Sequence, residues 1–229
     1  MQEHLAKVVN VPHHTSMFKL LKGSFENEDE LLNFSVATKR PKLAGAIYYL
    51  RLFEAFWCRD YTAGMDLGYK FLALENFSSI EATSVHFYVG LMVFQLAREN
   101  DTNEKFFDAG EVALETFRKW TSHSEWNYQN KMFLLEAENH FSRGERIEAK
   151  RKYELAIQSS HAHRFGHEEG LAYELFGYFY ASAGDNTSAL MQFLNARSCY
   201  ERYGCNVKVS QLDKCVATIM QIQACSLSA

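Results

Sequence analysis

The sequence predicts an all-α, helix-turn-helix solenoid with repeats of about 40 residues. Three observations carry that expectation. First, Phe133, Ala137, Gly144, Ala149, Tyr153 and Ala156 recur as Tyr173, Gly177, Gly184, Ala189, Phe193 and Ala196. Each pair keeps its residue type: aromatic, small, Gly, Ala, aromatic, Ala. Second, the only prolines are Pro12 and Pro41, so nothing after Pro41 interrupts helix after helix. Third, polar turn signals separate stretches of helical periodicity, and hairpin dipeptides such as Asn-Gly are absent. In the register, Ala137 and Gly177 allow two helices to approach closely. Gly144 and Gly184 sit at turns, where a positive φ costs little only for glycine. Ala149 and Ala189 let the second helix pack on the first, and Tyr153 and Phe193 fill the remaining space.

The elements follow in order. Residues 1–27 read as a lead-in segment, with a turn at Lys22-Gly23-Ser24. A helix is expected over about 28–38, where Glu28, Asp29 and Glu30 favour the positive end of the helix dipole. Pro41 suits a first helical turn and opens a helix to about Cys58, with Leu43, Ile47, Leu50 and Phe53 on one stripe. Asp60 caps the next helix, to about Glu75, and Ser79 caps another, to about Arg98. Asn100-Asp101-Thr102-Asn103 is a break. A helix to about Trp120 and a polar turn at Thr121-Ser122-His123-Ser124 come next. The two clearest repeats occupy about 126–160 and 165–203. Gly64, Ala109, Ala149 and Ala189 mark one small position along four helical pairs, enough to bury a continuous core. The helical-repeat domain thus spans 28–203. Residues 204–229 form a terminal helix that caps the array or leads to a missing neighbour.

The chemistry legible in the chain is sparse. A net charge of -4 gives no basic footprint and argues against nucleic acid. Apolar runs are short and broken by charge, so no membrane span is expected. The five cysteines form no C-x-x-C pair, and with no leader in view the chain is expected to be cytoplasmic. Cys205, Cys215 and Cys225 share no helical stripe and read as small apolar residues. His161, His163 and His167 follow no zinc spacing, and His167-Glu168-Glu169-Gly170 reads as a helix start. Glu136 and Glu138, two apart, do not share a helix face and make no acid/base pair. There is no phosphate-binding loop, nucleophile elbow or kinase catalytic loop. No catalytic residue, cofactor or metal is assigned. The aromatics Tyr173, Phe176, Tyr178, Phe179 and Tyr180 crowd one helix, which is expected to be buried on more than one side.

The repeat pattern resembles the tetratricopeptide repeat, lengthened from about 34 residues. Three blocks narrow the resemblance: Lys119-Trp120, His123, Asn127-Tyr128, Lys131 and Leu135-Glu136-Ala137-Glu138; then His167-Glu168-Glu169-Gly170-Leu171-Ala172, Glu174-Leu175 and Phe179-Tyr180; then Tyr200, Tyr203-Gly204, Lys208-Val209 and Leu212. In order and spacing they are similar to the helical-repeat region of large multi-domain signalling kinases. Those proteins join a serine/threonine-kinase-like domain, an AAA ATPase, helical repeats, a GAF domain and a histidine kinase. The likeness runs from about Leu21 to Leu212. Glu125-Trp126 stands where that family has a Pro, and Tyr203 where it has a Trp.

The resemblance implies a non-catalytic scaffold of, or derived from, a sensor kinase, with protein, peptide or neighbouring domains as partners. It places partner contacts on the first helix of each pair, at Lys131, Glu138, Glu174 and Tyr178. The alternative reading is a regulatory repeat that senses a peptide or small molecule in its groove. A concave pocket lined by aromatics favours sensing, and a flat, charged groove favours scaffolding.

Overall fold

A helix ends cheaply where one residue adopts left-handed backbone and the next amide returns to a carbonyl of the last turn. The chain uses this device repeatedly. In the computed structural model, which describes residues 28–74, 79–99 and 104–227, positive φ occurs at Lys39, Arg59, Gly144, Arg164, Gly184 and Gly204. The following amide donates back five residues each time, as in Asp60 N to Ala55 O (2.9 Å), Phe165 N to Ser160 O (2.9 Å) and Cys205 N to Tyr200 O (2.9 Å). Lys22-Gly23-Ser24 and the break at 100–103 lie outside the described residues.

These turns punctuate ten α-helices among the described residues. They are α1 (Glu28–Ala37), α2 (Pro41–Trp57), α3 (Tyr61–Leu72), α4 (Ser79–Glu99), α5 (Glu104–His123), α6 (Glu125–Ser142), α7 (Arg146–Ala162), α8 (Gly166–Ser182), α9 (Asn186–Tyr203) and α10 (Asn206–Leu227). Packing runs between neighbours in sequence, as in a helix-turn-helix array. Pro41 opens α2, and the Asp60 side chain accepts from Ala63 N at 3.2 Å to cap α3. One expected turn is missing. Helix α5 continues through Thr121 to His123, and only Ser124 interrupts the run before α6. Nothing in Thr-Ser-His forces an exit from helical backbone, and Thr121 is buried.

The described residues group into two compact units, 28–116 and 117–227, divided within α5. In the first unit, Arg51 of α2 reaches the acidic start of α1, 3.3 Å from Glu28 and 2.8 Å from Asp29. Helix α4 is the core, with Val85, Phe87, Leu91, Met92, Val93 and Phe94 all buried. Helix α3 approaches closely through glycine: a Cβ on Gly68 would lie 2.3 Å from Val89. On α5 the residue that admits such an approach is Gly110, where a Cβ would lie 2.3 Å from Phe94. The expected small position, Ala109, is only half-buried.

In the second unit α6 pairs with α7 and α8 with α9, while α7 also packs on α8 and α10 on α9. The register explains why. Ala137, Ala149, Ala156, Ala189 and Ala196 are all wholly buried, as are Tyr153 and Phe193. Arg146 ties the pairs together. Its guanidinium lies 4.2 Å from the Phe179 ring and donates to Phe179 O at 3.0 Å. That carbonyl belongs to the last turn of α8, where backbone amides run out, and the Ser182 hydroxyl also donates to it at 2.7 Å.

Two register glycines should therefore fail for different reasons. Gly184 has φ +74, and a Cβ there would meet nothing within 4 Å, so only its backbone matters. Gly177 would place a Cβ 2.6 Å from the buried Phe193 ring. Gly184→Ala should cost about 1–2 kcal/mol and Gly184→Asn much less, because Asn tolerates left-handed backbone. Gly177→Ala should cost about 1–3 kcal/mol, with no relief from Asn. Urea midpoints of the four variants check this; equal behaviour of Asn at both positions would refute it.

Candidate functional site

The four expected partner-contact residues have their polar groups engaged inside the second unit. Glu138 is 2% exposed and accepts from the Tyr153 hydroxyl of α7. Glu174 is 4% exposed and accepts from Lys208 Nζ of α10 (2.6 Å) and the Tyr200 hydroxyl of α9 (2.8 Å). Lys131 pairs with Glu168 across α6 and α8 at 2.9 Å and lies over the Phe165 ring. Tyr178 is half-buried, its ring edge-on to Phe193 and its hydroxyl 3.7 Å from Cys215 Sγ. Glu138 and Glu174 therefore do not project into a groove, while Lys131 and Tyr178 stay half-buried. A carboxylate on a helix face is solvated only if no later helix covers it, and here α7, α9 and α10 do.

The three sequence blocks meet in this network. Lys131 comes from the first, His167, Glu168 and Glu174 from the second, and Tyr200, Tyr203 and Lys208 from the third. The His167 ring lies 5.3 Å from that of Tyr203 and 6.5 Å from that of Tyr200. Burial pushes the His167 imidazole below its ordinary range; Glu168 and Glu174 oppose this, and Lys131 and Lys208 reinforce it. Burial pushes the Glu168 carboxyl up, but Lys131 and His167 outweigh it and hold the carboxyl low. His161 and His163 point to other contacts. His161 meets Glu169 at 3.1 Å, and the His163 ring lies tilted against Trp126, 4.2 Å between centroids. No group of three His, Cys, Asp or Glu side chains among the described residues is placed to hold a metal ion. Glu136 and Glu138 also diverge, to Lys152 and Tyr153 respectively.

A groove opens on the second-helix side. Its volume is about 750 Å³, its walls are α7 and α9, and its floor is α8. Tyr173, Phe176 and Tyr180 form the floor as one helical stripe, with Phe176 stacked on Tyr153 at 5.0 Å. Gln158 and His161 stand on one wall, and Met191, Gln192, Asn195, Cys199 and Arg202 on the other. Gln192 is only 7% exposed and hydrogen-bonds to none of the described residues. Arg202 donates to Ser198 Oγ (3.0 Å) and Cys199 Sγ (3.2 Å), and no carboxylate among the described residues pairs with it.

Burial pushes the Cys199 thiol up, as does Glu169, against the pull of Arg202, so the sulfur stays protonated rather than nucleophilic. Burial likewise raises the Tyr173 phenol, assisted by Glu169 and Cys199. It remains a hydrogen-bond donor. The aromatic stripe was visible in the sequence as crowding on one helix. Gln192 and Arg202 were not, because a lone Gln or Arg on a helix carries no local signal of what covers it.

Compared with family models, curated proteins and solved structures, the chain finds no match. Among the described residues no helix is long and apolar enough to cross a membrane.

Two outcomes follow from the network. Glu174→Gln leaves the Lys208 side chain, 3% exposed, without its charged partner and should cost about 3–5 kcal/mol. Adding Lys208→Met should recover most of that in urea titrations; no recovery would mean the pair is not the cause. His167 gives a pH signature. Its folded-state pKa lies below the unfolded value of about 6.5, so the unfolded chain binds more protons between the two. Its stability contribution is complete above that value and is lost as pH falls toward the folded-state pKa. The urea midpoint should drop over this window in the parent protein and less in His167→Gln; identical slopes would remove His167 as the source.

Proposed function

We propose that this chain is a non-catalytic protein-interaction scaffold, a tetratricopeptide-like region of the kind found in multi-domain signalling kinases. The α7–α9 groove is the single observation that carries the reading. Its polar groups, above all Gln192 and Arg202, are not consumed by the fold. Those of the Lys131–Glu168 and Glu174–Lys208 network are. The Gln192 amide opens to the groove with no partner in the fold, and the exposed Arg202 guanidinium carries no carboxylate, so both are available to a ligand.

The kinase setting draws support from the three sequence blocks. Their spacing is matched by contact, Lys131 with Glu168 and Glu174 with both Tyr200 and Lys208. The reading assigns no catalytic residue, cofactor or metal. It takes as partners a protein, a peptide or neighbouring domains of a larger signalling protein, and neither nucleic acid nor membrane. In that setting the chain works in the cytoplasm.

The second reading, a regulatory repeat sensing a peptide or small molecule, is favoured by the aromatic floor of Tyr173, Phe176 and Tyr180. Asn195, exposed on the groove wall, separates the two. A photo-crosslinking residue there should give discrete protein adducts in cells, while the same residue at exposed Arg143 gives none. Absence of any adduct from position 195, with thermal stabilisation by a metabolite, would replace the scaffold by the sensor.

A further inference from the structure

The α7–α9 groove carries enough chemistry to specify its occupant, granting the interaction reading above. Its floor stripe from Tyr173 to Tyr180 rises about 10 Å along α8, and the wall from Met191 to Arg202 about 16 Å along α9. A strand advances about 3.3 Å per residue, so the groove spans about four to five extended residues. Three carboxamides, Gln158, Gln192 and Asn195, stand on its two walls, and none bonds to a described residue. A carboxamide offers a donor pair and an acceptor, which complements a peptide unit offering one of each. Gln192 matters most: the residue is largely covered, while its amide opens to the groove and bonds to no described residue.

The two ends differ. Helices α8 and α9 are antiparallel, so Arg202 lies beside Glu169 and Tyr173, and Met191 toward Tyr180. Arg202 has only a hydroxyl and a thiol as partners, whereas Glu169 is already met by His161 at 3.1 Å. No carboxylate of the described residues at this end lies within ion-pair distance of Arg202. At the other end Met191 is 55% exposed beside Tyr180, an apolar surface without cover.

We infer that the α7–α9 groove binds an extended peptide segment of another protein, with an acidic side chain on Arg202 and a large apolar side chain over Tyr180 and Met191. The carboxamides hold its main chain. The guanidinium gives the segment direction, because Arg202 is the one Lys or Arg among the described residues lining the groove. Mixed charge along the walls disfavours a polyanion or a basic strand.

The test selects a displayed library of random 12-residue peptides on the immobilised full chain. Synthetic, labelled copies of enriched peptides are then titrated. Enriched sequences should share an acidic residue about three to five positions from a large apolar one. Arg202→Gln should weaken binding about tenfold or more, as loss of a charge-assisted hydrogen bond does. Gln192→Leu should weaken it as well, with melting of both variants unchanged by circular dichroism. Alanine in place of the peptide's acid should lose as much on the parent chain and little further on Arg202→Gln. If a variant fails to fold, the peptide series on the parent chain decides alone. Peptides bound equally by both variants, or lacking the acid, would overturn this inference and leave the scaffold reading standing. A library that yields no binder would overturn both.

Discussion

Close approach of consecutive helices is the constraint from which the rest follows. A helix buries its apolar face only if its neighbour comes near, and here nearness is reached by removing a side chain. Where Gly177 meets Phe193, and Gly68 meets Val89, even a methyl group has no room. The absent side chain lets the neighbouring aromatic or branched residue sink to the helix backbone. That is how Phe193 becomes fully buried. The turn completes the arrangement. A left-handed residue and an amide returning to the last helical turn reverse the chain within three residues, so each helix starts beside the one it must cover.

Dense packing has an electrostatic consequence. Helices that pack on both neighbours cover positions that would be solvent-facing on an isolated pair. Glu138 and Glu174 are such positions, and each is matched by a partner from a later helix. Satisfied buried pairs are a poor source of net stability but enforce a unique arrangement, because any shift strands a charge. His167, its imidazole pushed below its ordinary range by burial beside Tyr200 and Tyr203, belongs to the same system. The network joins α6, α8, α9 and α10 and fixes the start of α8, whose aromatic stripe floors the groove. The same unit thus neutralises its charge in one place and leaves it available in another. The matched charges sit on the first-helix side, and the uncommitted polar groups lie between the second helices.

The sequence by itself determined the helical class, the turns at Gly144 and Gly184 and the small-to-aromatic register, since all are written within one or two helical turns. Pro41 and Asp60 are equally local and open α2 and cap α3 as their chemistry requires. Tertiary structure decided the remainder. Left-handed turns at Lys39, Arg59 and Arg164 carry no glycine, because packing of the flanking helices offsets a backbone cost that the residue type would avoid. The choice of Gly110 over Ala109 depends on which face meets Phe94. The fates of Glu138, Glu174, Gln192 and Arg202 were least legible. A polar side chain on a helix looks the same in sequence whether water, a lysine from a distant helix or nothing will meet it. That is settled by the elements that cover it, which come from elsewhere in the chain: Lys208 for Glu174, and for Gln192 none among the described residues.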